Sequence, residues 1–386
     1  MERTIGKLLR THYPQLIESQ RMPLHLHRAA WQLSACRTAA MGGHLQGCPA
    51  GHASRVVFHS CKHRLCPQCN ALPTERWLLK MRERLIVCSH HHLIFTMPHQ
   101  LHDLWRYNRA WLMQTLFTSV ADTLKTLCSD ARYLDSMPGF ILALHTWGRS
   151  LQLHPHIHCL ITDGGMQNGA WHRPRGSCFL PARVVMALFR GKLLAALRSA
   201  LADGTLRLPP DLSAEGCRSL LNQLGRVKWN VHLQQRYEHG QGVLTYLARY
   251  VRGGPLKNTQ LSEISDEHVT FRYRSHRQTE PGLQSLRLDS QAFLLRYLQH
   301  TPLPHKPIVR HYGLYATRHD AALNQARAAH AQLPVQATKP LTWQVHYQHR
   351  AAGPTPITHC PHCGHLMVCL GTLPKPLVAN QQAPPQ

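Results

Sequence analysis

The sequence predicts an α+β protein, and three observations predict it. Apolar residues recur at helical spacing in two long stretches, Trp105 to Leu127 and Ala182 to Leu206. β-rich runs lie before, between and after them: LIVCSHHHLIFTMP (85–98), FILALHTWGRSLQLHPHIHCLITDGG (140–165) and His268 to Tyr273. A third stretch, residues 36 to 70, is dense in Cys, His and Gly and poor in apolar runs, as a metal-stapled module is. No internal repeat interrupts this order.

Taken along the chain, the first ~35 residues carry mixed helical periodicity (Ile5, Leu8, Leu9; then Leu24, Leu26, Ala29, Trp31). Glu75 to Arg84 reads as a basic amphipathic helix, and Pro98 stops the β-run that follows it. Pro138-Gly139 signals a turn, after which two strands follow with a short connection. Residues 166 to 180 read as a loop or small hairpin. Pro209-Pro210 closes the helix that starts at Ala182, and Trp229 to Leu233 reads as a strand. Gly242 to Val251 has helical spacing with Gly253-Gly254-Pro255 as its stop. Residues 286 to 330 read as helical, broken around TPLPHKP, and the last ten residues read as a disordered tail.

The chain has 386 residues, enough for one large or two to three modest domains. Lys and Arg number 44 against 19 Asp and Glu, a net charge of +25. On a chain with 43% apolar residues this excludes an ordinary metabolic enzyme as the first reading and favours a polyanionic partner, nucleic acid before membrane. No run reaches the roughly 18 apolar residues of a membrane helix, and the N-terminus lacks the apolar core of a signal peptide. A cytoplasmic protein is expected. There thiols stay reduced, so clustered cysteines read as metal ligands.

The sharpest local feature is His154-Pro155-His156-Ile157-His158. Side chains alternate along a strand, so His156 and His158 share a face while Ile157 and Cys159 take the other. Two imidazoles so placed can grip one divalent ion, and a third ligand must come from another element. The other feature is Tyr246-Leu247-Ala248-Arg249-Tyr250. Tyrosines at i and i+4 lie on one helix face. A phenol becomes a usable nucleophile when a metal makes a phosphodiester electrophilic, and the phosphotyrosine link so formed can be rejoined without a nucleotide cofactor.

Together these motifs resemble the two-tyrosine HUH rolling-circle transposases of bacterial insertion sequences, the insertion sequence 91 family and its common-region relatives. The carrying segments are CRTAAMGGH (36–44), SCKHRLCPQCN (60–70), LIFTMP (93–98), HTWGRSLQLHPHIHCLITDGG (145–165), YLARYVRGGPLKN (246–258) and RHYGLYA (310–316), in the family's order. The resemblance implies an HUH endonuclease domain over 86–275, a central antiparallel sheet flanked by helices with a helical insertion near 180–225. An N-terminal helical and zinc-binding module precedes it (1–85), and a helical C-terminal accessory region follows (276–386). It makes His156 and His158 the ligands of catalytic Mg²⁺ or Mn²⁺, and Tyr246 and Tyr250 the nucleophiles. His92 is the choice for the third ligand, with Gln241 or an acid as alternatives, while His145 could instead shape the site. Arg249, Arg252 and Lys257 are expected on DNA phosphates. The expected activity is strand transfer at single-stranded element ends in a bacterial, nucleoid-associated protein. A replication initiator or relaxase, a metal-dependent hydrolase and a non-catalytic zinc regulator are the alternatives.

Structural Zn²⁺ is expected in the cysteine module. Cys66 and Cys69 have knuckle spacing. Family members usually place a second C-x2-C upstream, where this chain reads Cys48-Pro49-Ala50-Gly51-His52. The expected set is Cys48, His52 or Cys61, Cys66 and Cys69, with Cys36, His44 and His63 as material for another site. Cys360 and Cys363 form a further knuckle, which holds a second zinc with a His or Cys369, or completes a site contributed elsewhere.

Overall fold

The computed structural model describes residues 4–174, 179–238, 254–277, 280–346 and 358–376. Its centre is a five-stranded antiparallel sheet in the order β12-β4-β5-β3-β8, built from β3 (His90–Thr96), β4 (Gly139–Trp147), β5 (Leu153–Thr162), β8 (Val231–Tyr237) and β12 (Val309–Gly313). β5 is paired on both sides and buries nine of its ten residues, which makes it the spine of the sheet. Alternation then separates two faces. Ile157, Cys159 and Ile161 of β5 join Leu142 and Leu144 of β4 and Leu93 and Phe95 of β3 in the main core.

Four helices cover that first face: α4 (His102–Tyr107), α5 (Arg109–Cys128), α6 (Ala182–Ala202) and α7 (Ala214–Arg226). Their apolar spacing dictates the packing. Leu112, Leu116, Val120 and Leu124 stack along one side of α5; Val185, Phe189, Leu193 and Leu197 do the same on α6. Ser213 caps α7 by accepting the Gly216 N–H at 3.0 Å. On the second face, Ile141, Ala143 and Leu160 meet Trp77 and Met81 of α3 (Ala71–Arg84) and Leu323 and Ala326 of α9 (Asp320–Ala328). A small hairpin, β6 (Gly165–Gln167) with β7 (Ala170–His172), follows β5.

A second core joins distant parts of the chain. α1 (Ile5–Ser19) and α2 (Leu24–Ser34) pack with β9 (Leu261–Ile264), β10 (His268–Arg277), β11 (Glu280–Asp289) and α8 (Ser290–Leu298). Thr4 caps α1 at the Lys7 N–H and Asp289 caps α8 at the Ala292 N–H. The third sheet is β13-β1-β2: β1 (Gly43–Gly47) lies between β2 (Ser54–Phe58) and β13 (Val368–Leu373), so the far end of the described chain closes onto its beginning.

These contacts cross the expected divisions. A boundary at 275/276 cuts through β10, whose ladder with β11 runs from His268↔Asp289 to Arg277↔Glu280. A boundary at 85/86 separates α3 from the sheet face that it covers. Residues 276–346 and 358–376 supply three strands besides helices α8 and α9, and β12 lies within a stretch read as helical. Edge strand β12 is half-buried throughout, so it carries no period-2 signal. Gly313 ends it with φ +55, and a Cβ there would lie 1.8 Å from the Pro138 carbonyl oxygen.

His90, fully buried, shows how this fold treats histidine. Its Nδ1 donates to the Cys88 carbonyl (2.9 Å), which leaves Nε2 to accept from the Tyr315 hydroxyl (2.7 Å). Burial pushes its pKa down to about 4, and His300 and His311 are pushed the same way to about 4. The unfolded chain takes these protons near pH 6.5 while the fold refuses them. Stability is therefore fully present above about pH 6.5 and falls as pH drops towards about 4. His90 alone accounts for on the order of 3 kcal/mol. Melting temperature measured across this window should decline with acid, and His90→Gln should flatten part of the slope.

Candidate active site and metal centres

The register of β4 and β5 decides which histidines meet. His145 pairs with His156, and Ala143, a small side chain, pairs with His158. On the other side Thr96 pairs with His156 and Ile94 with His158, which puts His92 on the same face one step further along β3. The ligand atoms of His145, His156 and His158 all lie within 4.8 Å of one another. His156 Nε2 and His158 Nε2 are 3.1 Å apart, close to the about 3.0 Å edge of an octahedron with bonds near 2.1 Å.

Hydrogen bonds orient these rings from behind. His156 Nδ1 donates to the His154 carbonyl at 2.7 Å, so its Nε2 lone pair faces the cluster. His158 Nδ1 lies 3.0 Å from His92 Nε2, with the two rings stacked. When His158 Nδ1 donates in that bond, its Nε2 also faces inward. Trp147 stacks on His145, with ring centroids 4.6 Å apart. Exposure is 4% for His145, 9% for His156 and 6% for His158. Burial pushes the His156 pKa down to about 4 and that of His158 well below its ordinary value. His156 and His158 are thus held neutral near pH 7, the form that binds metal, and in the tautomers that turn both Nε2 lone pairs inward a cation between them relieves their repulsion.

Two further clusters are built from sulfur. Cys36, Cys61, Cys66 and Cys69 bring their ligand atoms within 4.8 Å of one another, with Cys36 Sγ 3.2 Å from Cys69 and 3.7 Å from Cys66. A disulfide needs about 2.05 Å, whereas the edge of a four-sulfur zinc tetrahedron is about 3.8 Å. Hydrogen bonds from Cys61 and Cys66 hold the Cys36 thiol down at about 7, and those from Cys36, Cys61 and Cys66 hold Cys69 well below its ordinary value. Thiolates are thus favoured at Cys36 and Cys69, while the same hydrogen-bonded network and burial push Cys61 and Cys66 up. The second set is Cys48, His52, Cys360 and Cys363, again within 4.8 Å.

Residues 139–323, which carry the histidine cluster, match a family model described as a putative transposase. Residues 8–97 match the transposase zinc-binding domain of the insertion sequence 91 group. The chain is 30% identical over 371 residues to the putative transposase y4qJ of Sinorhizobium fredii, covering 94% of this chain and 91% of that protein. The chain belongs to the insertion sequence 91 type of transposase. It is also 31% identical over 295 residues to the transposase for insertion sequence element IS801 of Pseudomonas savastanoi pv. phaseolicola, covering 74% of this chain and 69% of that protein. No solved structure matches.

The transposase brings together some of the expected residues and separates others. His156 and His158 meet as the strand pattern requires. His92 lies against His158 Nδ1, while the group of ligand atoms within 4.8 Å consists of His145, His156 and His158. A two-residue step along β3 carries His92 past His158 to the level of Leu160. The expected zinc set divides: Cys61, Cys66 and Cys69 gather around Cys36, while Cys48 and His52 lie with Cys360 and Cys363. The β1–β2 hairpin carries Cys48 to the far end of its ladder, away from Cys61. His63 accepts the Leu65 N–H and His44 lies on Gln46, so neither joins Cys36. Cys369 is exposed and bonded to the Gly371 carbonyl.

Tyr246, Tyr250, Arg249, Arg252 and Gln241 lie outside the described residues. Lys257 is exposed and lines an open cleft of about 810 Å³ together with Arg82 and Asn70. Among the described residues no helix is long and apolar enough to cross a membrane. Sequence reasoning left Cys36 and His145 in lesser roles. The signal for His145 was the short β4–β5 connection, which fixes the hairpin register. Cys36→Ser should lower bound zinc by one equivalent per chain, the same loss as Cys66→Ser, as read by metal analysis of the purified protein.

Proposed function

We propose that this transposase cleaves and rejoins single-stranded DNA at the ends of its element through a 5′-phosphotyrosine intermediate, with a divalent cation held by His145, His156 and His158. The observation that carries the reading is the convergence of three buried imidazoles on one point of the central sheet. Imidazole donors without a carboxylate favour Mn²⁺ over Mg²⁺. When bound, the cation polarises the scissile phosphate. His92 acts as a positioning residue, fixing the tautomer and ring plane of His158.

Tyr246 and Tyr250 enter as nucleophiles through the family resemblance. The phenol oxygen of one attacks phosphorus in line and its proton departs. The bond from phosphorus to the 3′ oxygen breaks, and that oxygen takes up a proton to leave as a free hydroxyl. A 3′ hydroxyl of the target strand reverses the exchange, which retains the phosphodiester energy. Arg249, Arg252 and Lys257 hold backbone phosphates, and the net charge of +25 supports such a partner. Structural Zn²⁺ is assigned to Cys36, Cys61, Cys66 and Cys69.

Incubation with a single-stranded element end and Mn²⁺ should give a covalent protein–DNA adduct visible by denaturing electrophoresis. Tyr246→Phe combined with Tyr250→Phe should abolish it, and an unchanged adduct in that double variant would overturn the mechanism. His158→Ala should abolish it at any practical metal concentration. His92→Gln should weaken the metal about 10–100-fold, so that raised Mn²⁺ restores the adduct.

A further inference from the structure

We propose that Cys48, His52, Cys360 and Cys363 form a second zinc site, a Cys₃His centre that staples the C-terminal knuckle to the N-terminal module. The donors come from segments more than 300 residues apart, yet all four ligand atoms lie within 4.8 Å of one another. Cys48 Sγ is 3.4 Å from Cys363 Sγ and 3.8 Å from His52 Nδ1. Tetrahedral zinc with bonds near 2.3 Å to sulfur needs separations of about 3.8 Å, and a disulfide needs about 2.05 Å.

Each half of the site is a tight turn closed by a glycine of positive φ, over four residues in the first and five in the second. In Cys48-Pro49-Ala50-Gly51-His52, the Gly51 N–H donates to the Cys48 carbonyl at 2.9 Å, with Gly51 at φ +76. In Cys360-Pro361-His362-Cys363-Gly364, the Gly364 N–H donates to the Cys360 carbonyl at 2.9 Å, with Gly364 at φ +71. Each turn thus aims two donors inward from one tight loop, as a zinc knuckle does. The backbone N–H groups of His362 and Cys363 also hydrogen-bond to Cys360, which suits a thiolate there. His52 stands where a second thiolate is missing from the N-terminal turn.

Apolar packing does not explain why these segments meet. The cluster around them buries only Cys48, Cys360 and Met367, and all six residues of β13 are exposed. Pairing of β13 with β1 brings the two knuckles to the same end of the small sheet, where Gly47 faces Val368. An ion shared by four soft and borderline donors supplies the missing constraint, and the donor set selects Zn²⁺. The site is independent of the strand-transfer chemistry.

The test is zinc content of the full chain purified under reducing conditions. Wild type should carry two zinc ions per chain. Cys48→Ser and Cys363→Ser should each carry one, and the double variant should still carry one, because both remove the same ion. Cys48→Ser combined with Cys66→Ser should carry none, and Cys369→Ser should keep two. His52→Cys should keep two and shift the visible absorption of the cobalt-substituted protein towards that of a four-sulfur site, which tests the assignment in a variant that retains its metal. Two zinc ions remaining in Cys363→Ser, separate losses from Cys48→Ser and Cys363→Ser that add in the double variant, or a mapped disulfide between Cys48 and either C-terminal cysteine would overturn the proposal.

Discussion

A strand sends successive side chains to opposite faces, and on β5 that constraint organises the protein. The odd positions Ile157, Cys159 and Ile161 enter the main core beneath α5 and α6. The even positions His156 and His158 turn to the other face, where α3 and α9 cover Leu160 but the histidines face each other. One ten-residue strand is therefore both the anchor of the largest core and the floor of the candidate active site. A register slip of one residue would exchange the two roles at once. The site inherits its rigidity from a sheet spine paired on both sides.

Burial gives these histidines their chemistry. The formal charge of +25 counts histidine as neutral, and for His90, His156, His158, His300 and His311 the fold enforces that neutrality. A cationic imidazole in the sheet would add like charge to a chain already short of carboxylates. Neutral imidazoles instead offer lone pairs, and the hydrogen bonds behind them decide which nitrogen is offered. The positive charge that remains, on Lys and Arg, suits a phosphate-bearing partner.

The two cysteine clusters have different apolar surroundings. The Cys36 cluster leans on a substantial core, since Cys36, Cys66 and Cys69 pack with α1, α2 and α8, and the Tyr297 hydroxyl donates to the Leu65 carbonyl within the knuckle loop. Beside the β13-β1-β2 sheet the buried cluster of the described residues is Cys48, Cys360 and Met367; a buried Met contributes about 1.5–3 kcal/mol, whereas a structural zinc contributes on the order of 10 kcal/mol or more. Three strands of five or six residues enclose little apolar surface, so an ion held there would supply much of the ribbon's stability.

The sequence by itself determined the α+β class, the strand that carries His156 and His158, the two long helices, and the knuckle at Cys66 and Cys69. These are local patterns, set by a period of 2 or 3.6 or by ligand spacing within one turn. The family was legible from the motifs and their order, and the comparisons show it. Partnership across the chain was not legible. That His145 rather than His92 joins the pair follows from hairpin register; that Cys36 joins Cys61, Cys66 and Cys69 follows from the packing of α2 against the knuckle loop; that Cys48 and His52 meet Cys360 and Cys363 follows from β13 adding to β1. Each depends on which distant segment fills a given edge or face, and local periodicity carries no information about that choice. Only the tertiary structure decided it, because pairing energy is shared between two segments and is written in neither alone.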